Sequence, residues 1–71
     1  MNRGLWLARK NYLFTLIKKV SDGWGGESEE ELLRHANEVL DMYPGDAIEE
    51  AILCYQEMVA QLNVLGCFND R

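Results

Sequence analysis

The sequence has little proline and little cysteine. Its 71 residues include one proline, Pro44, and two cysteines. Proline interrupts helices because it lacks the backbone donor that a helix interior needs, so its scarcity permits long helices. Cys54 and Cys67 are too few for a disulfide framework, and on one straight helix they would lie about 20 Å apart. We therefore expect reduced thiols and a cytoplasmic protein.

Long apolar runs are also missing. No stretch reaches the roughly 18 consecutive apolar residues that a membrane-spanning helix requires, and Arg9 and Lys10 interrupt the first apolar run before it resembles a secretory signal. A basic first helix carrying Trp6 and Phe14 would suit an anionic membrane surface. That helix is also the best packing partner for the remaining chain, so a membrane-surface protein is the least favoured of three hypotheses.

Basic residues are scarce after residue 20. Residues 1–20 contain five basic residues and no acid, whereas residues 21–71 contain all twelve acids against Arg34 and Arg71. This division has two explanations. The basic first helix attracts the acidic remainder within the molecule, or the acidic surface meets a basic partner, because net charge steers association without setting the fold.

Apolar residues recur with helical spacing in three segments. The periodicity predicts helices over about residues 5–20, 28–43 and 46–65. The first has an apolar face wider than one neighbour requires. We therefore predict one all-α domain over residues 1–71, a small three-helix bundle in which the first helix touches both others. The alternative is an open protomer that dimerises through one of two apolar lines: Leu7 and Phe14, or Leu53, Ala60 and Val64.

Breaks between these helices are marked by glycine and by capping residues. Three glycines within Ser21–Gly26 predict a loop. Ser28 and Glu31 form a capping box, in which each side chain accepts a hydrogen bond from a free backbone donor of the first turn. Asp46 and Glu49 repeat this spacing and predict the start of the third helix.

No arrangement typical of catalysis or metal binding is visible. The only histidine, His35, is expected at the boundary of the core. It shares no ligand spacing with Cys54 or Cys67, so we expect no metal and no cofactor. The glycines around Trp24 lack the Gly-Lys-Ser/Thr ending of a phosphate-binding loop. We expect that the protein is not an enzyme.

Nucleic acid is equally unexpected as a direct partner. A helix, a tight break and a second helix could indicate a helix-turn-helix motif. The segment that would enter the groove contains no lysine or arginine between Asp46 and Gly66. Its acids would repel phosphates rather than bind them.

One short segment has a counterpart in a known family. Ser28-Glu29-Glu30-Glu31-Leu32, continuing to Tyr43-Pro44-Gly45-Asp46, resembles the nuclease-colicin immunity proteins, which are small acidic helical inhibitors. The resemblance covers about 19 residues, 28–46, and departs from the family in lacking paired tyrosines before a proline. It implies an inhibitor of a basic protein.

These observations favour a non-enzymatic protein-binding module of inhibitor, immunity or adaptor type that acts on a basic partner. Trp24 either anchors that partner from an exposed loop or folds beneath the bundle as a plug. An acidic face would steer the encounter; its residues are Glu29, Glu30, Glu38, Asp41, Glu49, Glu50 and Glu57. The alternative function is a structural or regulatory homo-oligomer formed by helix packing.

Overall fold

Over residues 3–66 the fold consists of three α-helices, as predicted. The computed structural model describes residues 3–66, so Cys67 lies outside the described residues. The helices are α1 (Arg3–Gly23), α2 (Glu29–Met42) and α3 (Ile48–Val64), and a 3-10 turn over Gly45–Ala47 leads directly into α3.

Helix α1 contacts both other helices, which confirms its predicted central position. Its most extensive contact is with α3, and its contact with α2 is smaller. Two side-chain pairs show that α1 and α3 run in the same direction: Arg9 forms an ion pair with Glu49, and Gln56 Nε2 donates to Tyr12 Oη at 2.7 Å. Because these contacts advance together along both helices, α2 must run in the opposite direction to bring the chain back to the start of α3.

The core is formed where the apolar stripes of the three helices meet. Leu13 and Ile17 on α1 and Ile48 on α3 are essentially inaccessible to solvent. Spacing of three and four residues places successive apolar side chains on one helix face. The remaining members of this cluster are Leu32, Ala36, Val39 and Ala51. Leu16, on the same helix as Leu13 and Ile17, is buried as well.

The end of α1 differs from the prediction. The helix continues to Gly23 rather than ending near residue 20. Gly26 N–H donates to the Ser21 carbonyl at 2.8 Å, and Gly25 N–H approaches the Asp22 carbonyl at 3.4 Å. These two bonds and the φ of +106° at Gly25 define a Schellman cap. The cap satisfies the last carbonyls of α1, so the glycines terminate a longer helix instead of forming an open loop.

The two predicted capping boxes have different outcomes. At the start of α2, Ser28 N–H donates to Glu31 Oε1 at 3.1 Å and Glu31 N–H donates to Ser28 Oγ at 3.2 Å, which confirms the first. The second is wrong. Asp46 lies inside the 3-10 turn, and Ala47 precedes α3 with helical angles and no side-chain cap. A capping side chain needs an extended backbone at its own residue, which the turn denies to Asp46.

Candidate functional site

Trp24 is displayed at the surface immediately after α1. The residue is 74% exposed, so the prediction of a buried plug is wrong, and its role as an anchor for a partner stays a prediction. Trp24 N–H donates to the carbonyls of Val20 at 3.2 Å and Ser21 at 3.0 Å. The Schellman cap follows at Gly25 and Gly26. Backbone hydrogen bonds at Trp24 and at the two glycines after it therefore fix the position from which the indole side chain projects.

A cleft of about 330 Å³ opens beside Trp24. It lies where the end of α1 meets the facing sides of α2 and α3. The turn after α1 contributes one wall and the two helices contribute the other. The lining residues are Val20, Ser21, Trp24, Gly26, Glu27, His35, Tyr55 and Met58.

Three side chains in this cleft form a hydrogen-bonded chain across the molecule. His35 Nε2 lies 2.7 Å from Tyr55 Oη, and His35 Nδ1 lies 3.4 Å from Glu27 Oε1. With its proton on Nδ1, the imidazole donates to Glu27 and accepts from Tyr55. The His35 and Tyr55 rings are tilted by 56° with centroids 5.9 Å apart. His35 is half-buried between α2 and α3, which confirms its predicted boundary position.

Burial determines the ionisation of Tyr55. Desolvation is the main cause that raises the pKa of the Tyr55 hydroxyl, and nearby acidic groups, including Glu27, add to it. A hydrogen bond to the neutral imidazole requires the protonated phenol, because the hydroxyl must supply the proton. The environment of Tyr55 therefore favours the form that holds His35 in place.

An acidic depression adjoins the cleft along α2. It is lined by Glu27, Glu31, Arg34, His35 and Glu38, and it shares Glu27 and His35 with the cleft. Three carboxylates face one guanidinium there, so the local charge is negative. Hydrogen bonds from Ser28, first from its backbone N–H, lower the pKa of Glu31 and keep that carboxylate ionised.

The predicted acidic face is exposed but not gathered into one patch. All seven of its acids are solvent-accessible. Glu49 is turned towards α1, where it pairs with Arg9. Glu38 alone among the seven lines the acidic depression. Trp24, the predicted anchor, lies in the adjoining cleft.

Sequence reasoning missed the parts played by Glu27, Glu31 and Tyr55. The sequence predicts Glu31 only as a capping residue, and that role describes one of its two contributions. Glu31 and Glu38 lie seven residues apart on α2, a spacing that places them on one side of the helix, whereas Glu27 lies in the turn before it. The contact of His35 with Tyr55, 20 residues later, depends on how the helices pack.

The outer side of α3 presents a second surface feature. Leu53 is 62% exposed and Val64 is 86% exposed, so this apolar line is surface rather than additional core. Ala60, Gln61, Val64 and Leu65 line a shallow, mainly apolar depression at the end of the helix.

Comparison with known proteins provides no functional assignment. No protein-family model matches the chain, and neither does any curated protein or solved structure. Within residues 3–66, no group of three or more His, Cys, Asp and Glu side chains is arranged to hold a metal ion. In the same range, none of the helices combines the length and the apolar character needed to cross a membrane.

Proposed function

We propose that the protein is a non-enzymatic binding module that acts on a basic protein partner, as a small inhibitor, immunity factor or adaptor. The observation that carries this proposal is Trp24, a tryptophan 74% exposed on a hydrogen-bonded turn, in the cleft that adjoins the acidic depression. Leaving such a side chain in water is unfavourable, and tryptophan is enriched among residues that dominate interface energetics.

Charge supports a basic partner. The chain has a net charge of −5, and the depression next to Trp24 contains three carboxylates. Negative potential raises the encounter rate with a positively charged surface and disfavours acidic competitors. Trp24 would supply affinity and the carboxylates would supply steering.

The hydrogen-bonded chain supports binding rather than catalysis. Glu27, His35 and Tyr55 place an acid, an imidazole and a phenol in line, as a general-base site would. Burial raises the pKa of Tyr55, however, which opposes its activation as a nucleophile or base. The proposal gives the three residues a positioning role.

Location belongs to the same proposal. Cys54 carries a free, exposed thiol, which a reducing compartment preserves, so we place the protein in the cytoplasm. The hypothesis of a membrane-surface protein is weakened, because Leu13, Ile17 and Val20 of α1 are buried in the bundle and are not available to lipid.

Two steps test the binding function. The immobilised full chain captures its partner from the native host, and mass spectrometry identifies that partner. Dissociation is then timed for the wild type, Trp24→Ala and Met42→Ala. Met42 is a matched control, because it is 71% exposed and apolar but lies at the far end of α2. We expect Trp24→Ala to weaken binding at least about tenfold, mainly through faster dissociation. Equal effects of both substitutions would refute the anchor.

Steering is tested separately by association rates. The triple variant Glu38→Gln, Glu50→Gln, Glu57→Gln removes three exposed acids and leaves the ion pair between Arg9 and Glu49 intact. We expect slower association than wild type at low salt and convergence of the two at high salt, where charges are screened. Identical association rates at low salt would mean that these acids only solvate the surface and do not steer the partner.

A homo-oligomer is the second candidate function. The specific observation in its favour is the exposed apolar line on α3, including Leu53 and Val64, which continues into the depression at the helix end. Sedimentation equilibrium of the wild type and of Leu53→Glu distinguishes the two proposals. A dimer that the substitution dissociates would favour assembly, and a wild-type monomer over the concentration range would exclude it.

A further inference from the structure

We propose that the cleft beside Trp24 receives the guanidinium group of an arginine side chain from the partner. This inference rests on the proposed function and names the chemistry of its central contact. The cleft volume of about 330 Å³ lies at the small end of the range for ligand pockets, so it suits one side chain better than a larger ligand.

The lining has the two components that a guanidinium requires. Trp24 supplies an exposed aromatic ring, on which a planar cation stacks favourably, and Tyr55 lines the cleft beside it. Glu27 supplies a carboxylate, which accepts two parallel hydrogen bonds from arginine. The chain already contains one cation on an aromatic ring, since Lys10 Nζ lies 5.4 Å from the centroid of the Trp6 ring. Trp24 is 74% exposed and has room for the same interaction with an incoming group.

Glu27 has unused capacity as an acceptor. Within residues 3–66, its polar partner is His35 Nδ1, at 3.4 Å from Oε1. Charge-assisted hydrogen bonds to a carboxylate are typically about 2.7–2.9 Å long. The contact between His35 and Glu27 is longer and therefore weak. His35 is held from its other side by Tyr55. His35 can therefore orient the Glu27 carboxylate, and most of the hydrogen-bonding capacity of that carboxylate remains for a ligand.

The surrounding charge selects the sign of the ligand, and the ring faces select its shape. In the adjoining depression Glu31 and Glu38 outnumber Arg34, so they extend the negative potential and disfavour anions. A lysine ammonium would gain from that potential but could not stack as a plane or form a two-pronged hydrogen bond. Arginine satisfies both components at once.

The experiment uses a defined probe, so it does not depend on identifying the partner. The 15N-labelled full chain is titrated with the blocked tripeptide acetyl-Gly-Arg-Gly-amide and followed by NMR. The matched probe replaces arginine with citrulline, which has the same shape and no charge. We expect resonances of Trp24, Glu27 and His35 to shift with the arginine peptide, with a dissociation constant of about millimolar order for so small a contact. Citrulline should bind at least about tenfold more weakly.

Variants localise the interaction. Glu27→Gln and Trp24→Leu should each weaken the arginine peptide about tenfold or more, because each removes one component. Glu29→Gln is the matched control: it removes the same charge from an exposed position two residues away, outside the cleft lining. Circular dichroism verifies that all three variants keep the helical fold. Equal weakening by Glu27→Gln and Glu29→Gln would indicate diffuse charge and overturn the proposal.

Further outcomes separate this inference from the function on which it rests. A third probe carries lysine in place of arginine. If either the citrulline or the lysine peptide binds as tightly as the arginine peptide, the guanidinium assignment is overturned. If the arginine peptide fails to bind while a captured partner still depends on Trp24, the binding function stands and this inference falls. If the peptide binds in the cleft while partner binding ignores Trp24, the inference stands and the anchor hypothesis falls.

Discussion

Tyr55 couples one hydroxyl group to the stability of the molecule at alkaline pH. Burial raises its pKa above the ordinary value of 10.0, so the unfolded chain loses this proton first as the pH rises. The free energy of unfolding should therefore fall as the pH rises above about 10, until the folded-state pKa is passed. Below that window the contribution is complete. Thermal unfolding between pH 8.5 and 11 checks this, with pH values chosen to bracket the reference pKa of tyrosine.

Substitution of Tyr55 itself isolates its contribution. Tyr55→Phe should flatten the alkaline loss of stability, because the titrating group is gone. Matching slopes in wild type and Tyr55→Phe would contradict the role given to burial.

Ser28 is the residue whose effect is easiest to isolate. Ser28→Ala removes the side chain that accepts from Glu31 N–H, and it should lower the free energy of unfolding by about 1 kcal/mol. Ser28→Asp restores a capping acceptor and should recover most of that loss. Urea unfolding of the three proteins measures it. A Ser28→Asp variant as unstable as Ser28→Ala would mean that the hydroxyl acts through something other than the cap.

Helix α1 should be the element most sensitive to truncation of its side chains. Leu13 is 1% exposed and lies in the central cluster. Leu13→Ala should cost about 2–5 kcal/mol, from lost burial and the cavity left behind. Leu7→Ala is the control in the same helix, because Leu7 is 44% exposed, and its cost should be much smaller. Chemical denaturation measures the free energy of unfolding of both variants. Equal losses would contradict the central position of α1 in the core.

Local signals predicted the elements better than their ends. The start of α2 was predictable, because Ser28 and Glu31 make their hydrogen bonds within four residues and need no other helix. The end of α1 was not, since glycine propensity alone does not reveal a helical Gly23 followed by a Schellman cap. At Asp46 the same spacing that succeeds at Ser28 fails, because the 3-10 turn imposes its own backbone geometry.

At the scale of the whole molecule, we expect a helical fold that is independent of metal. The core of residues 3–66 is apolar and is drawn from all three helices. Far-ultraviolet circular dichroism should show a helical spectrum, and adding a chelator should leave the melting temperature unchanged. A fall in the melting temperature with chelator would refute this expectation.

The site could be predicted only in part. Trp24 and Glu38 were identified from residue type and charge, and the structure places them in adjoining depressions. The remainder required tertiary information. Glu27, His35 and Tyr55 come from a turn and two helices, and no spacing in the sequence indicates that their side chains meet. Pairing of Glu49 with Arg9 likewise follows from the parallel packing of α1 and α3.

That parallel packing has a consequence for how the chain folds. The most extensive interface joins the first helix to the last, and Tyr12 and Gln56 on either side of it are 44 residues apart in the chain. Contacts of high sequence separation form late, because a long loop must close before they contribute. During synthesis the interface between α1 and α3 cannot form until α3 has emerged. A nascent chain ending at Met42 would therefore expose Leu13 and Ile17, because Ile48 and Ala51 of the same cluster are not yet present.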